Sequence, residues 1–315
     1  MIKYSTVHKI PLFLITGFLG SGKTTLIKNI LESKDNGYRI GIVQNEFAPA
    51  NLDGIELQNT GKSYEILEIN NGSIFCICLL KDFITSLASF IDQKKPDLII
   101  IETSGLSDPI AIAEILQHSE LNDKVYLKAS WCIVDSGNFL NIDKMLNRVQ
   151  HQLLVADQII INKIDCTNSK NLNEIRKRIK KINPLARILE AEYCQIEVDF
   201  EKLQSDPYLI APDMTNTLKI THESRAEMIA CVFKSGRKMQ LKNLENLIRK
   251  YLPSTIRIKG FVLLNNNQTA LVQTVFKNMD INVVDHIPGN TSLVLMGENF
   301  NLSAFSRDFR VSVEK

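Results

Sequence analysis

The sequence of 315 residues lacks the long apolar runs and the charge excess that mark membrane and nucleic-acid-binding proteins. No apolar stretch reaches the roughly 18 residues that a membrane-spanning helix needs. The 37 Lys and Arg side chains are almost balanced by 35 Asp and Glu, which leaves a formal net charge of +2. Because this balance provides no basic surface for phosphate backbones or lipid head groups, we expect a cytoplasmic protein with neither nucleic-acid nor membrane partners.

Cysteine and histidine are present in small numbers and without a repeating pattern. Of the six cysteines only Cys76 and Cys78 are neighbours, which does not match a disulfide framework and indicates a reducing compartment. The five histidines form no tract, which argues against metal storage. We expect the remaining cysteines to be packing residues of the interior, namely Cys132, Cys166, Cys194 and Cys231.

The first two thirds of the chain alternate short β-branched runs with longer amphipathic segments. Several runs are apolar almost without interruption, such as "LIIIET" at 98–103 and "DQIIIN" at 157–162, as is typical of strands buried on both faces. The segment "LLKDFITSLASFI" at 79–91 has its apolar residues at helical spacing. This order predicts an α/β fold with a mostly parallel sheet flanked by helices.

The alternating pattern decays after Ile196 into a stretch rich in Pro, Asp and Asn that ends near Thr217. Such composition is typical of a connection between domains. We therefore predict one domain at 1–205 and a smaller α+β domain at 218–315, in which several strands surround a helix and a last helix starts at Leu302.

The segment "GFLGSGKTT" fits the phosphate-loop pattern G-x-x-x-x-G-K-[ST] between a predicted strand and a predicted helix. Its glycines allow backbone N–H groups to point at phosphate oxygens, and the helix N-terminus adds a positive dipole end. As catalytic groups, we expect Lys23 to reach the β- and γ-phosphates and Thr24 to offer its hydroxyl to Mg²⁺. The nucleotide-binding residues predicted here are Gly17, Gly20, Ser21, Gly22, Lys23, Thr24 and Thr25.

Two later strand ends supply further groups that a triphosphate site needs. Glu102 ends a buried strand and faces the crevice of the phosphate loop, where it would hold Mg²⁺ through water or orient the attacking water. The segment "NKID" follows another strand and contributes Asn162, Lys163 and Asp165. One carboxylate can accept from both the ring N–H and the exocyclic amine of guanine, and adenine has no matching donors. Asp165 therefore predicts GTP rather than ATP.

These motifs, in this order, resemble the CobW-type family of P-loop GTPases. The resemblance covers nearly the whole chain and rests on "ITGFLGSGKTTL", "VQNEF", "EINNGSIFCICL", "ETSGLSDP", "VADQIIINKID", "INPLARI", "RIKGFVLL" and "SLVLMGENFN". It implies a GTPase domain with a CobW-type C-terminal domain, and GTP and Mg²⁺ as ligands. It also implies that GTP hydrolysis is coupled to handling Zn²⁺, Co²⁺ or a related ion for a client metalloprotein. We also allow for a homodimer.

The cysteine segment departs from this family. Relatives usually carry C-x-C-C directly after N-N-G, whereas either alignment of "NNGSIFCICLL" leaves at least one thiolate missing. In an extended backbone Cys76 and Cys78 would project to one face and could share a soft metal ion. Because two ligands do not close a tetrahedral site, we add Glu46 and His118 as candidate ligands. Buried cysteines at a helix start, or a redox pair, are the alternatives.

Three functions are open on this basis. The first is a GTP-dependent metallochaperone or insertase, in which GTP orders the loops that carry Glu46 and the two cysteines. The second is a GTPase switch that activates a cobalamin-dependent or other metalloenzyme without carrying metal. The third is a small-molecule kinase, against which Asp165 and the CobW-like C-terminal half argue.

Overall fold

The computed structural model describes most of the chain, in twelve ranges of residues. They are 9–33, 38–45, 64–69, 77–105, 107–142, 147–184, 186–198, 218–222, 225–275, 278–285, 290–298 and 300–313. The chain divides into two compact units, Met1–Gln204 and Ser205–Lys315.

The first unit alternates strands with helices along the chain. Its strands are β1 (Ile10–Gly17), β2 (Ile40–Asn45), β3 (Tyr64–Ile69), β4 (Leu98–Glu102), β5 (Val125–Asp135), β6 (Gln158–Asn162) and β7 (Arg187–Ala191). Its helices are α1 (Lys23–Glu32), α2 (Ile77–Lys94), α3 (Pro109–Ile115), α4 (Phe139–Ile142), α5 (Asn147–Val155) and α6 (Ser169–Ile182). A single 3₁₀ turn, Ile164–Cys166, follows β6.

The seven strands form one parallel sheet in the order β3-β2-β4-β1-β5-β6-β7. Strands β2, β3 and β4 lie on one side of β1, and β5, β6 and β7 lie on the other. The strand order therefore reverses beside β1. In such sheets ligands bind outside the carboxyl ends of the strands at the point of reversal. The register places Ile15 beside Glu102 and Gly17 beside Ile133, which brings three strand ends together there.

Helices cover both faces of this sheet, as the continuously apolar strands require. On one face α1 packs Leu26, Ile27 and Ile30 against β1 and β5, where the rings of Phe13 and Trp131 lie 5.6 Å apart. The opposite face is covered by α2 and α3 near the middle of the sheet and by α5 and α6 near β6. The predicted α/β fold is therefore confirmed.

The second unit is a six-stranded antiparallel sheet with two helices. Its strands are β8 (Leu218–His222), β9 (Arg225–Ser235), β10 (Arg257–Leu263), β11 (Thr269–Val275), β12 (Asn278–Val284) and β13 (Thr291–Glu298), in the order β12-β11-β10-β13-β9-β8. The helices are α7 (Leu241–Tyr251) and α8 (Leu302–Val313), and a 3₁₀ turn, Leu252–Ser254, follows α7. Both helices share a core with the sheet, in which Phe233 contacts Phe305 and Phe309.

Three strands were not predicted from the sequence, namely β3, β8 and β12. All three lie at sheet edges. Edge strands carry polar side chains that blunt their exposed hydrogen-bonding groups, as Glu65 does in β3 and Asp280 and Asn282 do in β12. Within the described part of the chain, no helix is both long and apolar enough to cross a membrane.

Candidate nucleotide site

The phosphate loop connects the end of β1 to the start of α1, in the strand–loop–helix context that the sequence predicts. Gly17 has φ 139°, and a Cβ there would lie 2.4 Å from the carbonyl oxygen of Ile133 in β5. Gly22 has φ 111°, and a Cβ there would lie 2.6 Å from Nδ2 of Asn162. Side chains at these two positions would clash with neighbouring strand ends, so the tight bend depends on glycine.

Lys23 is the first residue of α1 and is 8% exposed. Its Nζ donates to the carbonyl oxygens of Gly17 at 3.1 Å and Phe18 at 3.3 Å, so the ammonium lies inside the curve of the loop. Phosphate oxygens bound in the loop would be stronger acceptors for this ammonium than the neutral carbonyls. The position suits a group that neutralises phosphate charge.

Thr24 and Glu102 meet beside the phosphate loop. The hydroxyl of Thr24 donates to Oε1 of Glu102 at 2.8 Å, and Nε2 of Gln44 donates to Oε2 at 3.1 Å. The Glu102 side chain belongs to the end of β4 and is 8% exposed. Mg²⁺ in nucleotide sites is typically held by one or two protein oxygens together with water and phosphate. A hydroxyl and a buried carboxylate at this spacing fit that ion.

Asn162 joins the phosphate loop to the segment after β7. It is 2% exposed, its Nδ2 donates to the carbonyl of Ser21 at 2.9 Å, and its Oδ1 accepts from the backbone N–H of Cys194 at 2.8 Å. The side chain of Cys194 also reaches the phosphate loop, since its thiol donates to the carbonyl of Gly22 at 3.3 Å. Asn162 therefore holds two loops in place beside the nucleotide crevice.

Lys163 lies across the phosphate loop. With φ 60°, it directs Nζ to the carbonyl of Gly20 at 2.8 Å and to Oδ2 of Asp135, the last residue of β5, also at 2.8 Å. Burial alone would raise the pKa of Asp135, but hydrogen bonds from Lys163, Asn138 and the backbone of Gly137 outweigh it and lower the pKa. The carboxylate is thus a stable partner for Lys163.

Asp165 lies in the 3₁₀ turn that follows, and it is exposed. The same turn places Cys166 next to it, with the Cys166 thiol 3.4 Å from Oδ2 of Asp165. This hydrogen bond and the nearby negative charge raise the pKa of Cys166. The carboxylate of Asp165 is accessible to a base at the edge where the phosphate loop lies.

Four residues of this site were not assigned to it from the sequence: Asn29, Gln44, Asp135 and Cys194. Gln44 and Asp135 lie at the carboxyl ends of strands, which is the position that identified Glu102 from the sequence. They were not singled out because many other polar residues also lie at strand ends. Asn29 donates to the carbonyls of Tyr193 and Cys194 at 2.8 Å and 3.0 Å. Contacts between residues so distant in sequence leave no local signal.

The prediction that four cysteines are packing residues is confirmed for three of them. Cys132, Cys194 and Cys231 are buried, and burial raises the pKa of each thiol to about 12. Thiols with such a pKa stay protonated at neutral pH and do not bind metal as thiolates. The prediction is wrong for Cys166, which is exposed because it lies in the turn beyond β6 rather than on the strand.

The candidate transition-metal ligands lie only partly within the described residues. Cys76 and Glu46 lie outside them. Cys78 is the second residue of α2, so the extended backbone expected for Cys76 and Cys78 does not hold at Cys78. Among the described residues there is no group of three or more His, Cys, Asp or Glu side chains that could hold a metal ion.

His118 lies at the edge of the sheet opposite to Cys78. It is exposed in the turn before β5, and the nearby Lys124 accepts from the N–H of Ile10 at the start of β1 and pairs with Asp92 near the end of α2. The axial rise of a helix separates Cys78 from Asp92 by about 21 Å. The structure therefore does not bring His118 close to the start of α2, and its role as a metal ligand stays a prediction.

Comparisons with known proteins agree with the motifs and the fold. The model of the CobW/HypB/UreG nucleotide-binding domain matches residues 11–190, and that of the cobalamin synthesis protein CobW C-terminal domain matches residues 228–312. The zinc chaperone CobW of Sinorhizobium sp. is 32% identical over 198 residues, covering 54% of this chain and 55% of that protein. The zinc-regulated GTPase metalloprotein activator 1 of Schizosaccharomyces pombe is 34% identical over 212 residues, covering 65% and 51%.

The chain thus spans about half the length of these curated relatives. Among solved structures, the Zn(II)-bound YjiA GTPase from Escherichia coli matches with a TM-score of 0.60 and 19% identity, covering 96% of this chain and 99% of that one. At this identity the likeness shows a shared fold. Because the nucleotide-binding model covers more than half of the sequence and the C-terminal model covers most of the second unit, the chain belongs to the CobW/HypB/UreG family.

Proposed function

We propose that the protein binds GTP with Mg²⁺, hydrolyses it to GDP and phosphate, and uses this cycle to deliver a transition metal ion to a client metalloprotein. The observation that carries the proposal is the direct connection between the three nucleotide motifs. Asn162 and Lys163 donate to the phosphate-loop carbonyls of Ser21 and Gly20, and Thr24 donates to Glu102. The zinc chaperone and GTPase names of its relatives support the same function.

Guanine selection is assigned to Asp165. Lys163 is anchored to both the phosphate loop and Asp135, and this anchor fixes the turn that presents Asp165. An exposed carboxylate in this turn can accept two hydrogen bonds from guanine, and adenine would bring an acceptor to the same place. Asp165 therefore favours guanine and disfavours adenine.

Hydrolysis is assigned to Lys23, Thr24 and Glu102. Lys23 neutralises charge on the β- and γ-phosphates, and Thr24 and Glu102 are the groups that hold Mg²⁺, directly or through water. When bound, Mg²⁺ supplies positive charge that stabilises the transferring phosphoryl group. The carboxylate of Glu102 is also suited to orient the attacking water, since its Oε1 faces Thr24 at the phosphate loop.

The transition metal is cargo in this proposal, with Cys76, Cys78 and Glu46 as its ligands and Zn²⁺ or Co²⁺ as the ion. Glu46 follows directly after β2 and Cys76 directly precedes α2, and both of these element ends belong to the carboxyl edge of the sheet. Gln44 in β2 donates to Glu102, so a change at Glu102 on hydrolysis reaches a residue two positions before Glu46. This contact supports coupling between nucleotide and metal.

A second candidate is a GTPase switch that activates a metalloenzyme without carrying metal. The helical backbone at Cys78 and the missing third cysteine favour it, because they remove the geometry and one ligand of a thiolate-rich site. The two candidates share the nucleotide chemistry. They differ in whether the purified protein binds metal through Cys76 and Cys78.

Titration with Co²⁺ in the presence of a GTP analogue and Mg²⁺ tests the metal proposal. We expect one Co²⁺ per chain and a sulfur-to-metal charge-transfer band in the near ultraviolet, because thiolates are the ligands. Binding should release protons and weaken at acid pH, since the thiols must ionise. Replacing both cysteines, Cys76→Ser with Cys78→Ser, should abolish the band and leave the GTP affinity measured without a transition metal unchanged.

Cys166→Ser is the matched control, because Cys166 is an exposed thiol outside the proposed metal segment. It should leave the band intact. If the double variant binds Co²⁺ as tightly as the unaltered protein, the two cysteines are not ligands, and the switch without metal is favoured.

A further inference from the structure

The segment between β4 and α3 lies against the phosphate loop. It begins at Glu102, and Thr103 is tied to β1 by donating its N–H to the carbonyl of Ile15 at 3.0 Å. Gly105 is buried, and a Cβ there would lie 2.4 Å from the backbone nitrogen of Leu19 in the phosphate loop. A segment that starts at the Mg²⁺ carboxylate and touches the phosphate loop is placed to respond to the γ-phosphate.

Gln152 in α5 holds this segment from the other side. Its Nε2 donates to the carbonyl of Gly105 at 3.3 Å and to the carbonyl of Ser107 at 3.0 Å. The side chain is fully buried, at 0% exposure. Because both neighbours of this amide nitrogen are carbonyl acceptors, the amide cannot be turned over without facing oxygen to oxygen. Gln152 therefore fixes the backbone orientation at Gly105 and Ser107.

The neighbouring residue of α5 holds the end of the same segment. Nδ1 of His151 lies 3.4 Å from Oδ2 of Asp108, and both side chains are buried. Oδ1 of Asp108 accepts from the N–H of Ile110 and caps the start of α3. Two consecutive residues of one helix thus fasten the middle and the end of the segment that begins at Glu102.

We propose that Gln152 is a positioning residue for GTP, which sets the backbone of Gly105 and Ser107 in the arrangement that recognises the γ-phosphate. The inference rests on the proposed GTPase function and adds a residue and a helix to it. GDP lacks the γ-phosphate, so its binding depends on the phosphate loop and Asp165 and not on this segment. Loss of Gln152 should therefore separate the affinities of the two nucleotides.

Gln152→Met tests the proposal, because methionine is similar in volume and removes both donors. We expect the affinity for a non-hydrolysable GTP analogue to fall about tenfold, as the loss of two neutral hydrogen bonds implies. The affinity for GDP should stay unchanged, and kcat for GTP should fall. Fluorescent nucleotides measure both affinities in the presence of Mg²⁺, and phosphate release measures kcat.

Two further variants separate the loss of the Gln152 hydrogen bonds from a general loss of stability. Gln152→Asn retains a buried amide but is one methylene shorter, so it cannot reach both carbonyls, and we expect the same direction with a smaller effect. Asn183→Ala is the matched control for stability, because Nδ2 of Asn183 donates to three carbonyls at and just beyond the C-terminal end of α5, those of Leu153, Leu154 and Ala156. It should lower Tm and leave the ratio of GTP to GDP affinity unchanged.

The outcomes separate this inference from the function on which it rests. The inference fails if both Gln152 variants weaken the binding of GTP and GDP equally, or if they weaken the binding of neither nucleotide. If the unaltered protein still hydrolyses GTP, Gln152 then has only a structural role and the proposed function stands. If the Asn183 variant changes the ratio as much as Gln152→Met does, the effect belongs to helix stability and the inference again fails. If the unaltered protein binds neither GTP nor GDP, the proposed function itself fails.

Discussion

Replacing Lys23 with alanine should reduce GTP turnover on the order of a thousandfold, the loss seen when one preorganised donor to a developing negative charge is removed. The ammonium lies inside the phosphate loop, within 3.1 Å of the carbonyl of Gly17, where the phosphates would bind. Its charge is most valuable as negative charge shifts between the γ-phosphate and the leaving oxygen. Phosphate release at saturating GTP measures the effect.

Lys28→Ala is the matched control for this variant, since Lys28 belongs to the same helix beyond the phosphate loop. It should retain turnover. Turnover by Lys23→Ala at the rate of the control would mean that the phosphate loop does not act in catalysis as described.

Asp165→Ala should weaken GTP and GDP alike, by on the order of 2 kcal/mol or more. The reason is that the base is common to both nucleotides and loses a charge-assisted pair of hydrogen bonds. The same change should reduce the preference for GTP over ATP. Competition between guanine and adenine nucleotides for a fluorescent probe measures both effects.

Asp123→Ala provides the control, because Asp123 is also an exposed aspartate but lies in the turn before β5, at the opposite edge of the sheet. Its nucleotide affinities should not change. Asp165 does not recognise guanine if the Asp165 variant binds GTP as tightly as the unaltered protein does. The same conclusion follows if the unaltered protein prefers ATP.

The sequence predicts those residues of the site that belong to short motifs of neighbouring residues. The phosphate loop is recognisable because its glycines, Lys23 and Thr24 follow a buried strand directly. Glu102 and Asp165 are recognisable because residues after parallel strands meet at one edge of a sheet. Strands buried on both faces, such as β4 and β6, were predicted because they are continuously apolar, whereas three of the four edge strands, β3, β8 and β12, were missed.

The partners of these residues are not predictable in the same way. Gln44 and Glu102 are 58 positions apart, and Asn29 and Cys194 are 165 apart, so only the assembled sheet brings them together. The separation of His118 from the start of α2 has the same origin. A histidine shortly after the Glu102 strand appears close in sequence, but α3 returns the chain to the opposite edge before His118 is reached.

The Zn²⁺ affinity in the two nucleotide states decides whether GTP controls metal binding. It is measured by competition with a chelator in the presence of Mg²⁺ and either a GTP analogue or GDP. We expect tighter Zn²⁺ binding with the GTP analogue, by roughly 5- to 150-fold for a coupling of the usual size, and an equal tightening of the analogue by Zn²⁺. Equal Zn²⁺ affinity in both states, or no binding in either, would contradict a GTP-driven metal carrier.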